Sequence, residues 1–114
     1  MNWKTIASAK DVAKIKARSK EVPCLIFKHS TTCPISSMAK FRLEGDWDFP
    51  EEKLEVYYLD LLSYRPISAQ IAEEFKVHHE SPQVLLIRDG ECTYDASHLD
   101  ITVSELKECY EDVF

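Results

Sequence analysis

The segment Val22-Pro23-Cys24-Leu25-Ile26-Phe27-Lys28-His29-Ser30-Thr31-Thr32-Cys33-Pro34-Ile35-Ser36 leaves the chain little choice of local structure. Val22 to Phe27 is apolar with β-branched and aromatic members, which predicts a buried strand running to Lys28. Ser30, Thr31 and Thr32 are loop and cap residues. Pro34 suits the first turn of a helix, where an N–H would be unpaired in any residue. Cys33 therefore falls at a helix N-terminus. Unpaired N–H groups and the helix dipole favour an anion there, and such a thiol drops in pKa from ~8.5 toward ~7 or below. The thiolate, its reactive form, is then well populated at neutral pH. The competing reading is a small buried hydrophobe, a common fate of free cysteines. The polar run in front of Cys33 argues against deep burial.

The chain has 114 residues, which implies one domain spanning 1–114 with a real core. A formal net charge of −6 repels phosphate backbones and argues against nucleic-acid partners. No apolar run approaches the ~20 residues of a membrane helix. Met1-Asn2-Trp3-Lys4-Thr5 lacks the apolar core of a signal peptide. No membrane partner and a cytoplasmic address are expected, in a compartment that keeps thiols reduced. The cysteines are Cys24, Cys33, Cys92 and Cys109, none at Cys-x-x-Cys spacing. That argues against a zinc site and, in this compartment, against a disulfide framework.

The remaining elements read in order. Ser8 to Lys20 is a helix, with Ser8 as cap and Val12, Ile15, Ala9 and Ala13 on its apolar stripe. The basic cluster Lys14, Lys16, Arg18, Lys20 reads as a solvated face. Pro34 to Leu43 is the helix after Cys33, with Ile35, Met38, Ala39 and Arg42 on one face and Gly45 at its exit. Trp47 and Phe49 in the following connector are expected to pack back onto the core. Leu54 to Leu62 is a strand, and Ser63 to Lys76 a helix with Ile67, Ile71 and Phe75 inward. Strand, helix and strand imply a right-handed parallel crossover. His78 and His79 read as plain loop residues, since adjacent histidines rarely share a metal. Val84 to Arg88 and Glu91 to Tyr94 form a hairpin through Asp89-Gly90. Ala96 to Ile101 is a loop, with His98 a surface or capping residue. A capping box at Thr102–Glu105 starts a helix to Asp112, with Val103, Leu106, Cys109, Tyr110 and Val113 available to the core. Cys24, within a strand, is expected to be buried and inert.

Strand, Thr32-Cys33-Pro34-Ile35-Ser36 and helix, with Ser81-Pro82 further on in a short acidic chain, resemble the monothiol bacilliredoxin family of the thioredoxin-like superfamily. Length and element order fit as well, so the resemblance covers nearly the whole chain. It implies an α/β fold, a thioredoxin-like three-layer sandwich with a mixed four- or five-stranded sheet and helices on both faces. It puts Ser36 where dithiol relatives carry a second cysteine and implies that Pro82 is cis beside the sulfur.

By this resemblance the chain is a monothiol thiol–disulfide oxidoreductase. Cys33 is the nucleophile, and Thr32, Pro34 and Ser36 shape its surroundings. Ser81 and Pro82 form the wall that meets the substrate thiol. Bacillithiol is the implied co-substrate, no cofactor is tightly bound, and bacillithiolated client proteins are the partners. Ser36 can donate a hydrogen bond to the Cys33 thiolate but cannot resolve a mixed disulfide. Lys28, one strand residue before the loop, is expected either to lend positive charge to the sulfur or to be solvated. An acidic chain is an unobvious host for anionic bacillithiol, so local charge must differ from net charge. Two other classes remain: a non-catalytic thioredoxin-like interaction module, and a redox sensor pairing Cys33 with Cys24 or Cys92. An arsenate-reductase-like activity lacks the arginine cluster that an oxyanion needs.

Overall fold

Six consecutive buried residues, Cys24–His29, form the strand from which the rest is laid out. A computed structural model describes residues 1–112. Along it run β1 (Lys4–Thr5), α1 (Ala9–Arg18), β2 (Cys24–His29), α2 (Pro34–Asp46), β3 (Glu55–Asp60), α3 (Arg65–Glu74), β4 (Gln83–Arg88), β5 (Glu91–Ser97), a 3-10 turn (His98–Asp100) and α4 (Val103–Asp112). The sheet has five strands in the order β1-β3-β2-β4-β5. β1 and β2 both lie parallel to β3, whereas β4 runs antiparallel to β2 and β5 antiparallel to β4. The sheet is therefore mixed, as expected. Among the described residues no helix is long and apolar enough to cross a membrane.

Side-chain alternation along β2 builds two cores, because successive residues of a strand face opposite ways. Leu25 and Phe27 join Ala39 and Leu43 of α2 and Val103 and Leu106 of α4. Cys24 and Ile26 join Val12 and Ile15 of α1 and Ile71 and Phe75 of α3. Helices α2 and α4 thus cover one face, and α1 and α3 the other. Asp89 and Gly90 both have positive φ (53° and 80°), the two-residue turn that Asp-Gly predicts. Trp47 and Phe49 pack onto the α2–α4 core.

Four expectations change. Helix α2 runs through Gly45 to Asp46, since a lone glycine near a helix end costs only ~1 kcal/mol. Its inward residues are Ser36, Ala39 and Leu43, while Ile35 and Met38 are exposed. The strand before it ends at His29 rather than at Lys28, and its last two residues are as buried as the first. Cys109 is only half-buried. Val113 lies outside the described residues.

Candidate functional site

Cys33 is the N-cap of α2, with φ −99° and ψ 118°, and Pro34 follows within the first turn. Its N–H donates to Ser30 O (3.1 Å), and its carbonyl accepts the first helical bond from Ser37 N (3.1 Å). Cys33 is half-buried, unlike the sealed Cys24. No acidic side chain occupies the first turn of α2, and no side chain caps it. The helix-start N–H groups near Cys33 are therefore not claimed by a carboxylate. Thr32 is exposed, and its hydroxyl lies 3.4 Å from Ser30 Oγ, which helps hold the loop ahead of the cysteine.

Ser36 is fully buried beneath this helix start. Its Oγ accepts a hydrogen bond from Ser30 N (3.0 Å) and lies 2.6 Å from His29 Nδ1. His29 is itself buried, stacked on Phe27 and tilted against Tyr58. Burial first, and the charge of Lys40 second, lowers its pKa below the ordinary imidazole value, so neutral His29 is favoured. The Ser36 hydroxyl thus works through His29 and the Ser30 backbone. The expected hydrogen bond from Ser36 to the Cys33 sulfur is not formed in this arrangement. His29 has a sequence signal in hindsight. It sits two and four residues beyond Phe27 and Leu25, on the face that α2 covers.

Replacing Ser36 with alanine would strand a buried N–H on Ser30 and a ring nitrogen on His29. The expected cost is about 1–3 kcal/mol, read from urea unfolding midpoints. An unchanged midpoint would show that water replaces the hydroxyl.

The Ser81-Pro82 peptide is cis, as the resemblance implied. Pro82 is buried, Pro82 O accepts from His98 N (3.0 Å), and Ser81 Oγ is buried without a hydrogen-bond partner. Lys28 departs from both of its expected placements. It is fully buried and points to the α1–α3 face, away from α2. Strand alternation is the reason: Lys28 shares a face with Cys24 and Ile26, and His29 takes the other. Lys28 Nζ donates to Ser68 O (3.1 Å) and to His79 Nδ1 (3.3 Å). His79 is therefore not a plain loop residue. No local pattern links it to Lys28, which lies 51 residues earlier. His98 is exposed and 3.5 Å from Glu80, a surface position as expected.

Two of the other thiols, Cys24 and Cys92, are chemically quiet. Burial pushes Cys24 up to about 12 and Cys92 up to about 11, so both stay protonated at neutral pH. A lasting disulfide of Cys33 with either would need a protonated, enclosed sulfur to react, which disfavours the redox-sensor reading.

A thioredoxin-type sheet with a cysteine at the cap of the helix after β2, and a cis-proline leading into the β4 strand that pairs with β2, defines a class, the thioredoxin-fold thiol–disulfide oxidoreductases. The comparisons agree. A solved structure described as a candidate oxidoreductase with a thioredoxin fold is 30% identical, with a TM-score of 0.78 over 94% of this chain and 92% of that one. Thioredoxins from Malassezia sympodialis (19% identity, TM-score 0.73, covering 97% and 90%) and Trypanosoma brucei brucei (13%, 0.74, covering 98% and 90%) share the fold. The family model for the monothiol bacilliredoxin BrxC matches residues 4–106, and the chain belongs to that family.

Proposed function

We propose that this chain opens mixed disulfides between protein cysteines and bacillithiol, with Cys33 as the attacking sulfur. The observation that carries the proposal is Cys33 half-exposed at the α2 cap, with the hydroxyl of Ser36 three residues on where a second thiol would resolve the product. The Cys33 thiolate attacks the bacillithiol sulfur. The S–S bond to the client breaks, and the client leaves as a thiolate that takes up a proton. Cys33 then carries bacillithiol as a mixed disulfide. A second bacillithiol thiolate attacks that bacillithiol sulfur, which frees Cys33 and forms the bacillithiol disulfide. Each step is an exchange, so the electron pair comes from thiols alone and no tightly bound cofactor is required.

Thr32 and Pro34 fix the loop and helix start around the sulfur. Ser81 and Pro82 supply the wall along which the substrate disulfide lies. Ile35, Met38 and Phe41 are exposed along the outer face of α2, starting beside Cys33. An apolar strip in that position favours proteins over free small disulfides as clients. The non-catalytic module reading has no use for an unclaimed helix start under a half-exposed thiol.

The test offers the reduced protein the symmetrical disulfides of bacillithiol, coenzyme A and cysteine in turn, followed by intact mass and peptide mapping. The expected result is a bacillithiol adduct on Cys33 that forms faster than the other two. Adduction at another cysteine, or no adduct on Cys33, would overturn the proposal.

A further inference from the structure

The inference rests on the exchange reading above and names a part of the site that would recognise the small thiol. On the α1–α3 face, at the strand ends that lead to Cys33, polar groups converge from three elements. Lys28 Nζ is fully buried, holds Ser68 O and His79 Nδ1, and forms no ion pair among the described residues. An ammonium has three donors and no acceptor, so one N–H of Lys28 is uncommitted. Gln83 pairs with Lys28 across β2 and β4 and is 1% exposed. Its Nε2 donates to His78 O (3.0 Å), and its Oε1 has no partner. Buried polar groups are ordinarily satisfied, so Gln83 Oε1 and the third N–H of Lys28 leave hydrogen-bonding capacity unused in this cluster.

The tautomer of His79 follows from the same contacts. Ser68 Oγ also reaches Nδ1, at 3.2 Å. Because the lysine can only donate, Nδ1 is the acceptor and the ring proton sits on Nε2. Burial, then the charge of Lys28, lowers the pKa of His79 and favours the neutral ring. An open cavity of about 260 Å³ meets this cluster at Ser68 and His79 and is otherwise lined by Leu61, Arg65 and Ala69. Arg65 opens α3, whose first turn holds no acidic residue and whose N-cap makes no side-chain bond. The nearest acid in the histidine loop, Glu80, is turned to His98. Leu61 N donates to His29 O (2.9 Å), which ties the cavity rim to the strand end before Cys33.

We propose that this cavity is a carboxylate subsite for the small thiol, with Arg65 and the Nε2–H of His79 as donors and Lys28 as the charge that positions His79. Leu61 and Ala69 give the carbon skeleton an apolar wall. Arg65 and Lys28 bring two cations to this corner of an acidic chain, and the carboxylates beside it are engaged elsewhere, Asp60 with Leu62 N and Ser63 Oγ and Glu80 with His98.

The test uses one peptide cysteine carrying either of two small thiols, mercaptosuccinate with its carboxylates or neutral 2-mercaptoethanol. The readout is the ratio of kcat/KM for the two probes. Wild type is expected to favour mercaptosuccinate. Arg65→Ala and His79→Ala should each lower the ratio by about tenfold through KM, the size of one charge-assisted hydrogen bond. His79→Gln keeps an N–H near the Nε2 position and should restore most of it. Lys28→Met should lower the ratio several-fold as the ring loses its tether. An unchanged ratio, or equal loss for both probes, would overturn the subsite. If wild type turns over neither probe, the exchange reading fails by itself. The subsite is then judged by titrating mercaptosuccinate and following the His79 imidazole resonances. A shift in wild type that Arg65→Ala removes supports it, and no shift overturns it.

Discussion

Cys33→Ser is expected to lower release of the small thiol from a client by at least about a thousandfold, because a serine hydroxyl supplies no thiolate nucleophile at neutral pH. Cys24→Ser and Cys92→Ser should retain most of the rate. Cys24 is enclosed in the α1–α3 core, and its thiol lies 3.4 Å from the Val22 carbonyl. Cys92 directs its thiol to Tyr94 O at 3.3 Å. Both thiols are pushed by burial well above neutrality. The measurement is the client's mass against time with each variant. Release by Cys33→Ser at the wild-type rate would assign the chemistry to another group.

Lys28→Met is expected to make the protein more stable at pH 7, by about 1–2 kcal/mol, since a buried charge without a counter-ion costs more than its hydrogen bonds return. Burial lowers the Lys28 ammonium from 10.5 to about 8. At 1.36 kcal/mol per unit that is about 3 kcal/mol between the two protonation states. A lysine in the unfolded chain stays protonated to about pH 10.4. Between about pH 8 and 10.5 the unfolded state therefore binds more protons at this site. The Lys28 contribution to stability thus rises with pH across that window and is flat below it. Cys24 and Cys92 act in the opposite sense above pH 9, because their folded pKa values are raised. The quantity to measure is therefore the difference between variant and wild type in urea unfolding, in which the cysteine terms cancel. The advantage of Lys28→Met should shrink by about 3 kcal/mol from pH 7 to 10.5 and change sign. A constant difference would show that Lys28 is not the group that titrates.

The same lysine shows where sequence reading stops. A period of two places Lys28 opposite His29, yet nothing local says which face lies under α2. That choice follows from Leu25 and Phe27 packing on Ala39 and Leu43. Ser36 is similar. Its position three residues after Cys33 was plain, but its proton belongs to a pairing with His29 that needs the strand end and the helix start brought together. Ile35 and Met38 are as hydrophobic as core residues, so periodicity alone points the apolar stripe of α2 to the wrong face. Only the docked helix shows that Ser36, Ala39 and Leu43 face inward.

The sequence by itself determined the strand-loop-helix around Cys33, the Asp-Gly hairpin and the cap of each of α1 and α4, because those signals act between residues a few positions apart. It also carried the family motif. Tertiary structure alone decided that a lysine would be sealed under a histidine from a distant loop, and that a serine would bond a histidine rather than a sulfur. Those outcomes depend on which faces of separate elements meet, and contact free energy between remote segments leaves no periodic trace in the chain.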